Sequence, residues 1–235
     1  VTEKTPIELD SYKKIMPDLN PRETVAYEKT AGNPELRKIW KDKLLEKNPS
    51  LKDKQISLPI LVPGLTAALS YVADLFVDEN KPLLAADPCW DNYELIACAR
   101  RGAEFHQFKC FDEKGLNLAD LEKTMKEEAE KYGSVRVILN FPQNPSGYSP
   151  TKDEVQKITK IVKDIAESGK QVLVLSDDAY FGLNYEAMSA HPNVDAEAYI
   201  KSHFQEVLGK IYTPYSDKGI FSLALDKEFA EENKA

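Results

Sequence analysis

Residues 151–180 read TKDEVQKITKIVKDIAESGKQVLVLSDDAY. Val155, Ile158, Ile161, Val162 and Ile165 recur at helical spacing, so Lys152 to Ser168 is predicted as a helix with one apolar stripe. Thr151 and Glu154 form a capping box at its start, and Gly169 stops it. Gln171 to Ser176 follows as a run of Val and Leu, the pattern of a strand buried on both faces. That strand delivers two carboxylates, Asp177 and Asp178, to its end.

The same alternation extends backwards. Val135 to Leu139, Glu104 to Phe108, Pro82 to Ala86 and Ser57 to Val62 read as strands. Leu118 to Tyr132 is a helix with Leu118, Leu121, Met125 and Ala129 in phase. Asn92 to Arg101, Thr66 to Phe76 and Pro34 to Lys47 are helices too, the last carrying Leu36, Ile39, Trp40 and Leu44 on one face. Strands alternating with helices predict an α/β fold of three layers, a mostly parallel sheet with helices on both faces. Residues 1–30 lack periodicity and read as an extended, loop-like arm. Residues 31–186 read as the large domain, incomplete, and 187–235 as a fragment of a smaller α+β C-terminal domain.

Composition bounds the function classes. The chain has 235 residues, 42% hydrophobic and 30% charged, enough for one large domain with or without a small lobe. It has no apolar run of about 18 residues, so no membrane helix is expected. No basic stretch precedes an apolar one at the start, which argues against a secretory signal. A net charge of −8 makes nucleic acid an unexpected partner. Cys89, Cys98 and Cys110 are odd in number and lack metal-ligand spacing, so no metal site is expected and a reduced, cytoplasmic setting fits.

Ligands of such sheets bind beyond the carboxyl ends of the strands, and three strand ends here are unusual. Gly64-Leu65-Thr66 runs straight into a helix; it is either a turn and cap or a phosphate cup of free N–H groups plus a hydroxyl. Trp90 lies in the polar turn Asp87 to Tyr93, as a packing aromatic or as a face stacked on a planar ring. Asn140 to Gly147 ends one strand, and Asp177-Asp178-Ala179-Tyr180 the next. These read as a plain turn and a solvated acidic loop, or as a carboxylate brought to a buried edge. A charge there is costly unless paired, and a protonated ring nitrogen would pair it.

These segments resemble the class I/II aminotransferases, the fold-type I enzymes that use pyridoxal 5′-phosphate (PLP). Asn140 to Gly147 is similar to the family's N-x-P-x-N-P-[ST]-G, and Asp177 to Tyr180 to its D-[DES]-A-Y. Pro88 to Tyr93 is similar to P-x-W-x-N-Y, Pro63 to Leu69 to the G-x-T-x-A-L loop, and Gly32 to Arg37 to G-x-P-E-L-R. The resemblance covers roughly Tyr27 to Glu186. It implies that Asp177 pairs with the pyridinium nitrogen, that Asn144 and Tyr180 hydrogen-bond the phenolic oxygen, and that Trp90 stacks on the ring. It further implies that Gly64, Leu65 and Thr66 hold the phosphate. Tyr27 would reach the phosphate of a neighbouring subunit in a homodimer. The implied substrates are an amino acid and a 2-oxo acid.

The family also needs a Schiff-base lysine some way after D-x-A-Y, followed by a phosphate-binding arginine. Lys218 lies at a tolerable distance, but its context, Tyr215-Ser216-Asp217-Lys218-Gly219, departs from the family's, and no arginine follows Arg136. His191 to Leu208 reads as a helix and Tyr212 to Leu225 as a turn plus strand, similar to the family's small domain. The simplest account is that the chain as given lacks residues between Glu186 and His191, near Ser189, and at each end. The alternatives are a degenerate relative, or Lys218 as the catalytic residue. The motifs hold the cofactor and not the substrate, so a β-lyase, a decarboxylase or a catalytically incompetent PLP binder stands beside the aminotransferase reading.

Overall fold

A computed structural model describes residues 10–48, 51, 54, 56–113 and 115–180. Its centre is a sheet of four parallel strands: β1 (Leu83–Asp87), β2 (Phe105–Lys109), β5 (Ser134–Asn140) and β6 (Gln171–Asp177), in the order β2-β1-β5-β6. A two-stranded antiparallel hairpin of β3 (Phe111–Asp112) and β4 (Gly115–Leu116), not anticipated from the sequence, lies between β2 and β5 in the chain.

Helices cover both faces. Helices α6 (Leu118–Tyr132) and α7 (Lys152–Glu167) bury Leu121, Met125, Ala129, Val155, Ile158 and Val162 against Leu84, Phe108, Val135, Val137, Val172 and Val174. On the opposite face, α4 (Leu65–Phe76) and α5 (Asn92–Glu94) bury Leu69, Ala73 and Tyr93 against Leu83, Ala85, Ile138, Leu173 and Leu175. Alternate residues of one strand thus feed two separate cores, which is why β5 and β6 carry almost unbroken apolar runs. The predicted capping box is present, with Thr151 Oγ1 accepting from Glu154 N at 3.3 Å and Glu154 Oε2 accepting from Thr151 N at 2.7 Å.

Three expectations are corrected. Ser57 to Val62 forms no strand among the described residues. Side chains of α3 (Pro34–Lys47) hold it instead, with Arg37 Nε donating to Pro59 O and Lys41 Nζ to the carbonyl of Ile56 just before it, each at 2.6 Å. The segment before residue 30 is not uniformly loop-like. It contains α1 (Asp10–Ile15), a 3₁₀ turn at Met16–Asp18 and α2 (Pro21–Thr24), which Asn20 caps through Oδ1 to Arg22 N. Asn92 to Arg101 is not one α-helix, because α5 passes into a π-helical stretch, Leu95–Arg100. Arg100 and Arg101 pin the end of that stretch to α4 through Asp74 and Val77 O. The predicted segments after Tyr180, with Lys218, the 187–235 fragment and the expected break before His191, lie outside the described residues.

The backbone explains one motif glycine. Gly32 has φ +93°, and a Cβ there would lie 2.6 Å from Leu61 Cβ. Ala31 O accepts from Leu61 N at 3.1 Å at the same place, so the chain crosses itself with no room for a side chain. Gly32→Ala should destabilise the protein by about 2 kcal/mol or more, from the left-handed φ and the clash together. Urea unfolding checks this, and an unchanged midpoint would contradict the close crossing.

Candidate functional site

The chain moves from β1 to β2 on one side and returns to β5 on the other side of β1. The connecting helices change faces at the same point, so the carboxyl ends of β1 and β5 border a topological switch point, where open α/β sheets bind ligands. The loops that follow these strands enclose a small cavity lined by Ala86, Cys89, Tyr93, Phe108, Asn140, Phe141, Gln143 and Asn144, among others.

Register brings the next strand end to the same edge. Asn140 pairs with Asp177 at the last rung of the β5–β6 ladder. Asn140 Nδ2 donates to Asp177 O at 2.8 Å, while its Oδ1 accepts from Asn144 N at 2.9 Å. One buried side chain therefore ties the strand end to the loop that carries Asn144. Gln143 ties that loop to the next, donating to Pro88 O at 2.6 Å and accepting from Ser146 N at 2.9 Å. The bonds Asp87–Pro88, Phe141–Pro142 and Asn144–Pro145, all on these loops, are cis.

Asp177 is 3% exposed. Its Oδ2 accepts from the Tyr93 hydroxyl at 2.5 Å and its Oδ1 from Ala179 N at 3.0 Å. Among the described residues no cationic side chain forms an ion pair with it. Burial, and then the Asp177 charge, push the Tyr93 phenol far above its ordinary range, so it stays protonated and donating. Asn144 Nδ2 donates to Tyr180 Oη at 3.2 Å. Trp90 stands edge to face on Tyr93, with ring centroids 5.5 Å apart.

The first turn of α4 reaches this edge by topology. The helix ends near the start of β1, where Val77 and Leu83 share a core, and a six-residue link forces it to run antiparallel to the strands. Leu69, one turn in, lines a small void with Tyr93 and Leu175. Gly64 is the N-cap with φ 92° and supplies no side-chain cap, and the opening N–H groups of a helix, here those around Leu65 and Thr66, have no acceptor within it. Of the predicted residues, Asn144 lines the cavity. Tyr180 joins it through Asn144, and Asp177 and Trp90 through Tyr93. Tyr27 stands apart, 95% exposed.

Tyr93, Asn140 and Gln143 were not given roles by the sequence. Tyr93 stands three residues after Trp90 at helical spacing, but its contact with Asp177 spans 84 positions and no local pattern signals it.

The chain matches the family described as aminotransferase class I and II over residues 3–212. It is 27% identical over 163 residues to the aspartate aminotransferase of Sulfurisphaera tokodaii, covering 68% of this chain and 38% of that protein. It is 26% identical over 171 residues to the cytoplasmic isozyme 2 of aspartate aminotransferase from Arabidopsis thaliana, covering 71% of this chain and 39% of that protein. Among solved structures, an aminotransferase from Anaerococcus prevotii superposes with a TM-score of 0.71 at 25% identity, over 84% of this chain and 46% of that one. The chain thus spans less than half the length of these relatives.

Burial pushes the thiols of Cys89 and Cys110 up to about 11, the Gln107 amide beside Cys89 opposing this only in part. Cys98 is exposed. At pH 8, three units lower, about one in a thousand of these two thiols is ionised. Iodoacetamide at pH 8 should therefore label Cys98 first, with Cys89 and Cys110 gaining rate as pH climbs towards 11. Peptide mass mapping checks the order, and equal rates at pH 8 would contradict the buried setting.

Proposed function

The chain belongs to the class I and II aminotransferases, and from that membership we propose that the protein carrying it binds pyridoxal 5′-phosphate and moves an amino group between an amino acid and a 2-oxo acid. The observation that carries this reading is the Asp177 carboxylate, buried at a strand end with two hydrogen-bond donors and no described cation. A buried carboxylate in that state suits a cationic ligand atom. The surrounding donors suit the rest of the group. The uncapped turn at Leu65 and Thr66 fits a phosphate, and the Asn144–Tyr180 pair fits a phenolic oxygen.

When bound, pyridoxal phosphate supplies an electron sink for the bond broken at the amino acid α-carbon, provided its ring nitrogen stays protonated. In this reading Asp177 holds the proton at that nitrogen. Asn144 and Tyr180 hold the phenolic oxygen, Trp90 covers a ring face, and Gly64, Leu65 and Thr66 bind the phosphate. Tyr27, exposed on this chain, reaches the phosphate of the partner subunit in a homodimer. The proton-shuttling lysine is Lys218 or a residue missing between Glu186 and His191, near Ser189. The curated relatives named for aspartate make that amino acid the first donor to assay. Free thiols at Cys89, Cys98 and Cys110 suit a reducing, cytoplasmic compartment.

The full-length protein with pyridoxal phosphate should develop a visible absorbance band, and borohydride reduction with peptide mapping should mark one lysine. Asp177→Asn should keep its circular dichroism and lose about a hundredfold or more in amino transfer. Asp178→Asn should stay near wild type. Equal losses from the two would reduce the pair to a structural acidic turn. Sedimentation should give a dimer from which Tyr27→Phe releases the cofactor more readily; a monomer that retains it would remove Tyr27 from the site.

A further inference from the structure

Tyr93 has no role in the reading above, yet it meets two residues of the proposed cofactor site. Its hydroxyl donates to Asp177 Oδ2 at 2.5 Å. Its ring stands edge to face with Trp90. Its body, 2% exposed, packs in one cluster with Leu69, one turn into α4, and Leu175, two residues before Asp177. Ala179 N already holds Oδ1. With Tyr93 on Oδ2, both carboxylate oxygens are tied and the plane of the group is set. Each oxygen keeps a second lone pair for a ligand. A buried phenol needs some acceptor to avoid an unsatisfied hydroxyl, and a nearby backbone carbonyl would serve that need. Here the acceptor is the carboxylate of another strand, 84 positions away.

We propose that Tyr93 is a positioning residue of this site: its hydroxyl aims the Asp177 carboxylate at a cationic ring nitrogen, and its ring sets Trp90 against the same ligand. The inference rests on the pyridoxal phosphate reading. It differs from a packing role in that the hydroxyl acts through one ligand atom, the ring nitrogen.

That difference can be measured by binding alone. The probes are pyridoxal 5′-phosphate and its 1-deaza analogue, in which C–H replaces the ring nitrogen. Dissociation constants are read by fluorescence quenching on the full-length wild type, Tyr93→Phe, Asp177→Asn and the double variant. Tyr93→Phe keeps the ring and its packing and should weaken pyridoxal phosphate about tenfold, the scale of one hydrogen bond to a charged group, but the analogue less than about twofold. The double variant should bind pyridoxal phosphate no more weakly than Asp177→Asn, because the hydroxyl acts through that carboxylate. The double variant leaves no buried charge short of a donor, so this comparison still decides the matter if Tyr93→Phe alone does not fold. Equal losses for both ligands, no loss for either, or an additive double variant would each overturn the proposal. Failure of the wild type to bind pyridoxal phosphate would overturn the cofactor reading itself and is recognised without any variant.

Discussion

A carboxylate buried at the end of a parallel strand is the constraint on which this edge of the molecule depends. Leaving such a group without partners costs several kcal/mol, so the surrounding chain has to supply donors. Asp177 obtains one from its own turn, Ala179 N, and one from Tyr93 on a helix that follows a different strand. Parity along β6 makes this possible. Leu173 and Leu175 face α4 and α5, so Asp177 faces the same side and meets Tyr93 there. A slip of one residue in the β5–β6 register would turn the carboxylate toward α6 and α7, whose side chains there are apolar.

The register is itself held at the same rung. Asn140 spans from Asp177 O to Asn144 N, and Gln143 continues to Pro88 O, so three loops are joined by side-chain amides. Hydrogen bonds inside a buried edge are worth more than on the surface because no water competes for them. The result is a rim whose polar groups are fixed before any ligand arrives, which is what precise recognition of a small molecule requires.

The other face of the economy is apolar surface left open. Leu36, Ile39 and Trp40 on α3 are 47–53% exposed, and Tyr71, Leu75 and Leu95 on the α4 side are similarly open. The stripe read on α3 from the sequence is real as a pattern, but among the described residues it does not serve the sheet core. Periodicity reports that a face is apolar and does not name what covers it. The same limit applies to Ser57 to Val62, whose composition suits a strand while Pro59 O accepts from the Arg37 side chain.

Local chemistry alone determined much of this protein. The helix Pro34 to Lys47 and the capped helix after Thr151 were legible because caps and apolar periods act within a few residues. The order of the four sheet strands along the chain followed, and with it the edge where Asn144, Asp177 and Tyr180 would gather. What the tertiary structure decided was which groups touch. The β3–β4 hairpin, the π-helical stretch after α5, the tie through Asn140 and the bond from Tyr93 to Asp177 all depend on contacts or geometry set by packing. A sequence period is blind to a partner 84 residues away, because that distance closes only when two cores, on opposite faces of one sheet, have both been packed.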